Sequence, residues 1–137
     1  AEKDFGDVSV IDDYAHHPTE IKATSNAVKN KKYNESWVIF QPHTYSRTKN
    51  HLDDFADSLL DFDNIIILDI YAAREKNTFD ISSEDLVNKI ISKGKKAVYI
   101  PDFDEVVSYI KENVKENDIV ITLGAGTVTQ IGPMLLK

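Results

Sequence analysis

The stretch VSVIDDYAHHPTE, Val8 to Glu20, passes from a short apolar run through two acids, a tyrosine and two histidines to a proline. Val8 to Ile11 reads as a strand, because β-branched side chains suit a pleated, packed surface. Pro18 suits the first turn of a helix, where the missing N–H costs nothing. Ile21 and Val28 then supply that helix with an inward face. The segment is a strand, loop and helix in series, with its reactive side chains gathered at the carboxyl end of the strand.

The same unit recurs along the chain. Further runs stand at Trp37–Phe40 (WVIF), Ile65–Leu68 (IIIL), Ala97–Ile100 (AVYI) and Ile119–Leu123 (IVITL). They are continuous rather than alternating, as strands covered on both faces are. Leu52, Phe55, Ala56, Leu59 and Leu60 fall on one helical stripe, and so do Leu86, Val87, Ile90 and Ile91, with Ser82 or Ser83 as cap and Gly94 as stop. Val106, Val107, Ile110 and Val114 predict a further helix begun near Asp102 or Asp104. A last helix from about Thr127 contains Pro133, which kinks it or confines it to short pieces. Five such units in a row predict an α/β fold: an open, mainly parallel, Rossmann-like sheet with right-handed crossovers and helices on both faces. The first seven residues offer an added edge strand or a frayed start. There is no internal repeat and no linker, so residues 1–137 read as a single domain.

Composition removes several function classes. The formal charge is −7, and broad nucleic-acid binding needs clustered Lys and Arg. Lys29, Lys31 and Lys32 form one such cluster, but at a helix end, where cations complement the dipole. No apolar run approaches the roughly 18 residues of a membrane span, and the N-terminal residues do not form a signal peptide. The absence of cysteine excludes disulfides and thiolate metal sites and suits a cytoplasmic location.

In an open parallel sheet, ligands bind beyond the carboxyl ends of the strands. The first exit carries Asp12, Asp13, Tyr14, His16 and His17. The second carries Gln41, His43, Thr44, Tyr45 and Arg47, the third Asp69, Tyr71, Arg74 and Glu75, and the fifth Gly124, Ala125, Gly126 and Thr127. Three of the four histidines therefore sit on one rim, with His51 placed elsewhere on a helix surface. An acid at a strand end can hold the hydroxyls of a ribose, or it can simply fix a loop; Asp12 and Asp13 alternate in direction, so one of them is expected in the crevice. His16 and His17 lie at a helix start that favours an anion. Arg47 offers a planar fork to a carboxylate or phosphate, or forms a surface pair with Asp53 or Asp54. A metal held by His16, His17, His43 and an aspartate is the competing arrangement. Neighbouring residues converge poorly on one ion, however, and Arg47 repels a cation. LGAGT, Leu123–Thr127, lacks the lysine and spacing of a phosphate-binding loop and reads as a tight turn that another segment approaches closely. Any use of ATP therefore needs phosphate machinery from elsewhere.

DDYAHHPTEI, FQPHTYSRT, DIYAAREK and ITLGAGT resemble, in order and spacing, the C-terminal domain of the Mur ligase family, and within it the ligases that join L-alanine to UDP-N-acetylmuramate. The resemblance runs from about Val8 to the end. It implies a third domain of a cytoplasmic cell-wall enzyme whose absent first and central domains bind the UDP-sugar and hold the phosphate loop. ATP and Mg2+ are then expected mainly on the central domain, with UDP-N-acetylmuramate, L-alanine and the enzyme's other two domains as partners and no nucleic acid or membrane. It also implies an acyl phosphate intermediate, and an isolated domain that is inactive. Asp13, less surely Asp12, resembles the ribose-binding acid, with Tyr14 near the nucleotide. His16 resembles a contact to the reacting groups, with His17 and Tyr45 beside it. His43 and Arg47 resemble the anchor for the alanine carboxylate and acyl phosphate, so Arg47 and His16 carry the catalytic expectation. Thr44 stands where many members have arginine. The murein-peptide-recycling ligase, a phosphorelay receiver and a small acid- or nucleotide-binding module remain as alternatives. A receiver would need a hydroxyl residue after the fourth strand and a lysine after the fifth, where this chain has Pro101-Asp102 and Gly124-Ala125-Gly126.

Overall fold

The structure, a computed structural model, describes residues 2–137, with side chains from Gly6 onward. In chain order the elements are β1 (Glu2–Phe5), β2 (Val8–Asp13), α1 (Pro18–Lys29), β3 (Ser36–Phe40), α2 (Tyr45–Asn50), α3 (Leu52–Leu59), β4 (Asn64–Ile67), α4 (Ser83–Ser92), β5 (Ala97–Tyr99), α5 (Phe103–Asn113) and β6 (Ile119–Leu123); a 3-10 turn (Thr127–Gln130) and α6 (Ile131–Leu135) follow. The start of the chain is an edge strand. β1 pairs antiparallel with β2 across a two-residue turn whose Gly6 has φ +57°, a backbone conformation that glycine adopts without strain. Pro133 breaks the last segment into the short turn and α6, as its missing N–H requires.

The sheet order is β1-β2-β6-β3-β4-β5, with every pairing except β1–β2 parallel. Counting only the parallel strands in chain order, the arrangement is 1-5-2-3-4. A receiver-like domain places its first strand between its second and third, so this chain does not have that topology.

Alternation along each strand supplies two cores. Val38, Phe40, Ile65, Ile67, Ile121 and Leu123 face α1, α3 and α4, where Ile21, Phe55, Leu59, Leu86 and Ile90 are fully or almost fully buried. Val10, Ile39, Ile66 and Val120 face α5 and α6, against Val106, Ile110, Ile131 and Leu135. The loop after β6 leaves toward α6, whereas those after β2 and β3 leave toward the other layer. Loops diverging from adjacent strands open a crevice at the carboxyl ends of β2, β6 and β3.

At the opposite pole Asp118 ties the sheet together. Its buried carboxylate accepts from the indole of Trp37 (3.0 Å), the side-chain amide of Asn34 (3.0 Å) and the N–H groups of Glu35 (3.0 Å) and Lys115 (2.8 Å). Burial by itself pushes this carboxyl up, but those hydrogen bonds outweigh it and hold it below the usual carboxylate range.

Candidate functional site

The rim begins with Asp12 and Asp13, which do point to opposite faces. Asp12 Oδ1 accepts from Thr122 Oγ1 at 2.7 Å on the neighbouring strand. Asp13 accepts from the N–H of Ala15 (2.9 Å) and the hydroxyl of Thr24 on α1 (2.8 Å). Both Asp13 oxygens therefore fix the loop and the helix that follows, while Asp12 spends one oxygen on the sheet. Tyr14 stands 67% exposed beyond them.

Beyond Tyr14 the aromatic rings form a chain. Tyr14 meets His16 edge-on at 5.6 Å, His16 lies 4.8 Å from His17 and 5.6 Å from His43, and His43 stacks on Tyr71 at 5.4 Å. His16 Nδ1 lies 3.0 Å from the carbonyl of Tyr14, which sets its ring direction. The start of α1 is not an open anion site. Glu20 turns back to accept from the N–H groups of His16 (3.2 Å) and His17 (3.1 Å), a self-capping arrangement that places a carboxylate of the chain beside the helix start, where it repels an external anion. These bonds hold the Glu20 carboxyl below its usual range.

Arg47 enters through Thr44, the N-cap of α2, at φ +66°. Thr44 Oγ1 accepts from the Arg47 N–H at 3.3 Å. The guanidinium forms no salt bridge with Asp53 or Asp54. Among the described residues, Arg47 Nη1 and His43 Nδ1 are the buried side-chain nitrogens that meet no partner. Desolvation, then the charge of Arg47, then His16 and His17 lower the pKa of His43. His17 is lowered for the same leading reasons. The half-buried part of the rim therefore combines a fixed cation with a neutral histidine, and both have unused hydrogen-bonding capacity. That chemistry suits a carboxylate or phosphate oxygen.

Tyr71, Glu75 and Gln41 complete this wall. Sequence alone placed them on the rim without a role. Tyr71 bridges to His43 in parallel register, its N–H donating to the Pro42 carbonyl and its carbonyl accepting from Thr44 N–H, each at 2.8 Å. Gln41 donates to Thr127 Oγ1 (2.9 Å) and accepts from Val128 N–H (3.1 Å). LGAGT is the close-approach turn expected of it: a Cβ on Gly126 would lie 2.6 Å from Gln41 Oε1 and 2.8 Å from Tyr71 Cγ. At the far end, the Tyr99 hydroxyl donates to Asp69, and this bond pushes the phenol up to about 12. Tyr45 is half-buried at the first position of α2.

His51 is closer to the rim than its sequence position suggested. It joins α2 to α3 and lines, with His17, an open cleft of about 960 Å³ between α1 and α3. Arg47 and His43 do not border this cleft, and Asp54, Asp57 and Glu20 make it acidic. The one cluster of possible metal ligands among the described residues is Asp53, Asp54 and Asp57, all exposed. Lys93 already pairs with Asp53 at 2.9 Å and Asp57 at 2.8 Å. On the rim, His43 lies beside the fixed charge of Arg47, which repels a cation.

A family model described as Mur ligase, glutamate ligase domain, matches residues 2–126. The UDP-N-acetylmuramate–L-alanine ligases of Caldanaerobacter subterraneus and Acetivibrio thermocellus are 55% and 51% identical over 130 residues, 95% of this chain and 28% of theirs. The chain thus spans little more than a quarter of the length of these relatives. Among solved structures, UDP-N-acetylmuramate-alanine ligase MurC from Thermotoga maritima superposes with a TM-score of 0.76 at 28% identity, covering 96% of this chain and 27% of that one.

Proposed function

Because this chain belongs to the Mur ligase family, we propose that it is the C-terminal domain of an ATP-dependent UDP-N-acetylmuramate–L-alanine ligase. The carrying observation is the pair of buried, unpartnered nitrogens, His43 Nδ1 and Arg47 Nη1, on a rim with no phosphate-binding loop of its own. Such a rim is half of a site. It awaits an anion presented by the P-loop domain of the same enzyme, and closure would bring the two halves together.

In the proposed reaction the γ-phosphoryl group of ATP passes to the lactyl carboxylate of UDP-N-acetylmuramate, releasing ADP. The amine of L-alanine then attacks the acyl carbon, and the tetrahedral adduct expels phosphate as the amine loses its proton. Arg47 would grip the alanine carboxylate and steady the negative charge that develops on the acyl phosphate. His43, kept neutral, would donate or accept a single hydrogen bond without repelling Arg47, and His16 would border the same oxygens. Tyr14 would cover the nucleotide. The ribose contact falls to Asp13, or to Asp12 beside it, since each carboxylate keeps lone pairs beyond its bonds to Ala15, Thr24 or Thr122. Mg2+ would sit mainly on the central domain, with the nucleotide phosphates that it accompanies.

Steady-state kinetics of the full-length enzyme test the reading. Arg47→Ala should lower kcat/KM for L-alanine by about 2–4 kcal/mol, the cost of removing a charged hydrogen-bond partner at the transition state, while KM for ATP moves less than threefold. A change below threefold in kcat/KM for alanine would sink the assigned role.

A further inference from the structure

Arg47 lies on a helix with little means of holding itself. α2 has six residues, only Thr48 of them is buried, and it starts from a non-glycine residue at positive φ. A helix this short is unstable without outside contacts. Its support comes from the loop between β4 and α4. The Tyr71 carbonyl accepts from the Thr44 N–H at 2.8 Å. Glu75 reaches back across 29 residues, Oε1 accepting from the Ser46 N–H (2.8 Å) and Oε2 from the Ser46 hydroxyl (2.5 Å). Lys49 Nζ donates to the Phe79 carbonyl at 2.8 Å. The loop carries positive φ at Ala73, Arg74 and Asp80, and the Glu75 N–H closes a turn onto Ala72 at 2.9 Å.

We infer that Glu75 is a positioning residue for Arg47, acting as a carboxylate latch on the first turn of α2. Two properties make it suitable. Its charge meets the N-terminal donors of α2, where a carboxylate is stabilising, and these bonds with the nearby Arg47 charge hold its carboxyl below the usual range. Both oxygens accept from Ser46, and Glu75 makes no salt bridge with Arg47, so the latch grips the helix and leaves the guanidinium to the rim. The inference rests on Arg47 being the substrate fork, but the latch itself is a property of this chain.

Two experiments separate these claims. In the 137-residue chain, the Nε–Hε signal of Arg47 is followed by NMR while inorganic phosphate is titrated. Glu75→Ala should lower its heteronuclear NOE and weaken phosphate binding at least fivefold, while Glu75→Gln, which keeps one acceptor for the Ser46 N–H but loses the charge and the second accepting oxygen, should fall between Glu75→Ala and the parent. In the full-length ligase, Glu75→Ala should raise KM for alanine about tenfold with kcat and KM for ATP within twofold, and Glu75→Gln should restore part of the loss. An Arg47 signal and phosphate affinity unchanged in Glu75→Ala would overturn the latch. So would a uniform loss, in which Tm falls and the two KM values rise together, because Glu75 would then hold the fold rather than the fork. If the parent enzyme does not use alanine, the ligase reading fails and the NMR arm still decides the latch.

Discussion

Arg47 and His43 each keep a nitrogen out of water without a hydrogen-bond partner, an omission that costs about 1–3 kcal/mol for an ordinary polar group. A stable fold retains such a defect where a ligand repairs it. The histidine can report the repair. Desolvation, then Arg47, His16 and His17, hold its pKa down in the free protein, and an anion bound between these groups cancels part of the repulsion. Phosphate should therefore raise the His43 pKa, read from ring 15N shifts across pH 4.5 to 8. An unchanged or lower value would place the anion elsewhere. The stability sign follows from the same shift. A histidine whose folded pKa lies below its unfolded value of about 6.5 costs nothing above that pH. It destabilises the fold progressively as pH falls through the window below it.

Among the elements, the strands were legible in the sequence because buried parallel strands are continuous apolar runs; all five appear within two residues of their expected ends. The α3, α4 and α5 stripes were equally plain. α2 was not, since its six polar residues carry no periodic face and its stability is borrowed from a loop about 30 residues away. The contacts of Tyr71 and Glu75 share that origin: nothing local marks a residue whose partner lies on another loop. The two glycines of LGAGT mark a close-approach turn in the sequence itself, and the consequence is quantitative. A methyl group on Gly126 would strike Gln41 and the Tyr71 ring that stacks on His43. Gly126→Ala should cost about 1–3 kcal/mol, as overpacking does, measured by urea unfolding. A variant as stable as the parent would show that this wall yields freely.

For the whole molecule, the two ends of the sheet have different duties. The carboxyl end holds strained backbone and unmet donors, and the amino end holds Asp118 with its donors satisfied. Asp118 titrates below the usual range, so its contribution is complete above the unfolded aspartate pKa and is lost as pH falls through the lower folded value. Asp118→Asn should destabilise the neutral protein by about 2–3 kcal/mol, since a neutral amide cannot accept all of those hydrogen bonds. The deficit should shrink toward acid pH; a constant deficit in denaturant titrations from pH 7 to 2.5 would argue against a charge effect. The single tryptophan of the chain, Trp37, is sealed at this pole, with its indole N–H bound to Asp118. The protein therefore carries an optical reporter at the end of the sheet opposite the rim. Its emission should register loss of the sheet and stay silent while the rim fills, whereas the exposed ring of Tyr14 stands where an occupant would quench it. Trp37 excited at the red edge, where tyrosine does not absorb, reads folding alone, and the difference between the parent and Tyr14→Phe isolates occupancy from the other tyrosines of the chain.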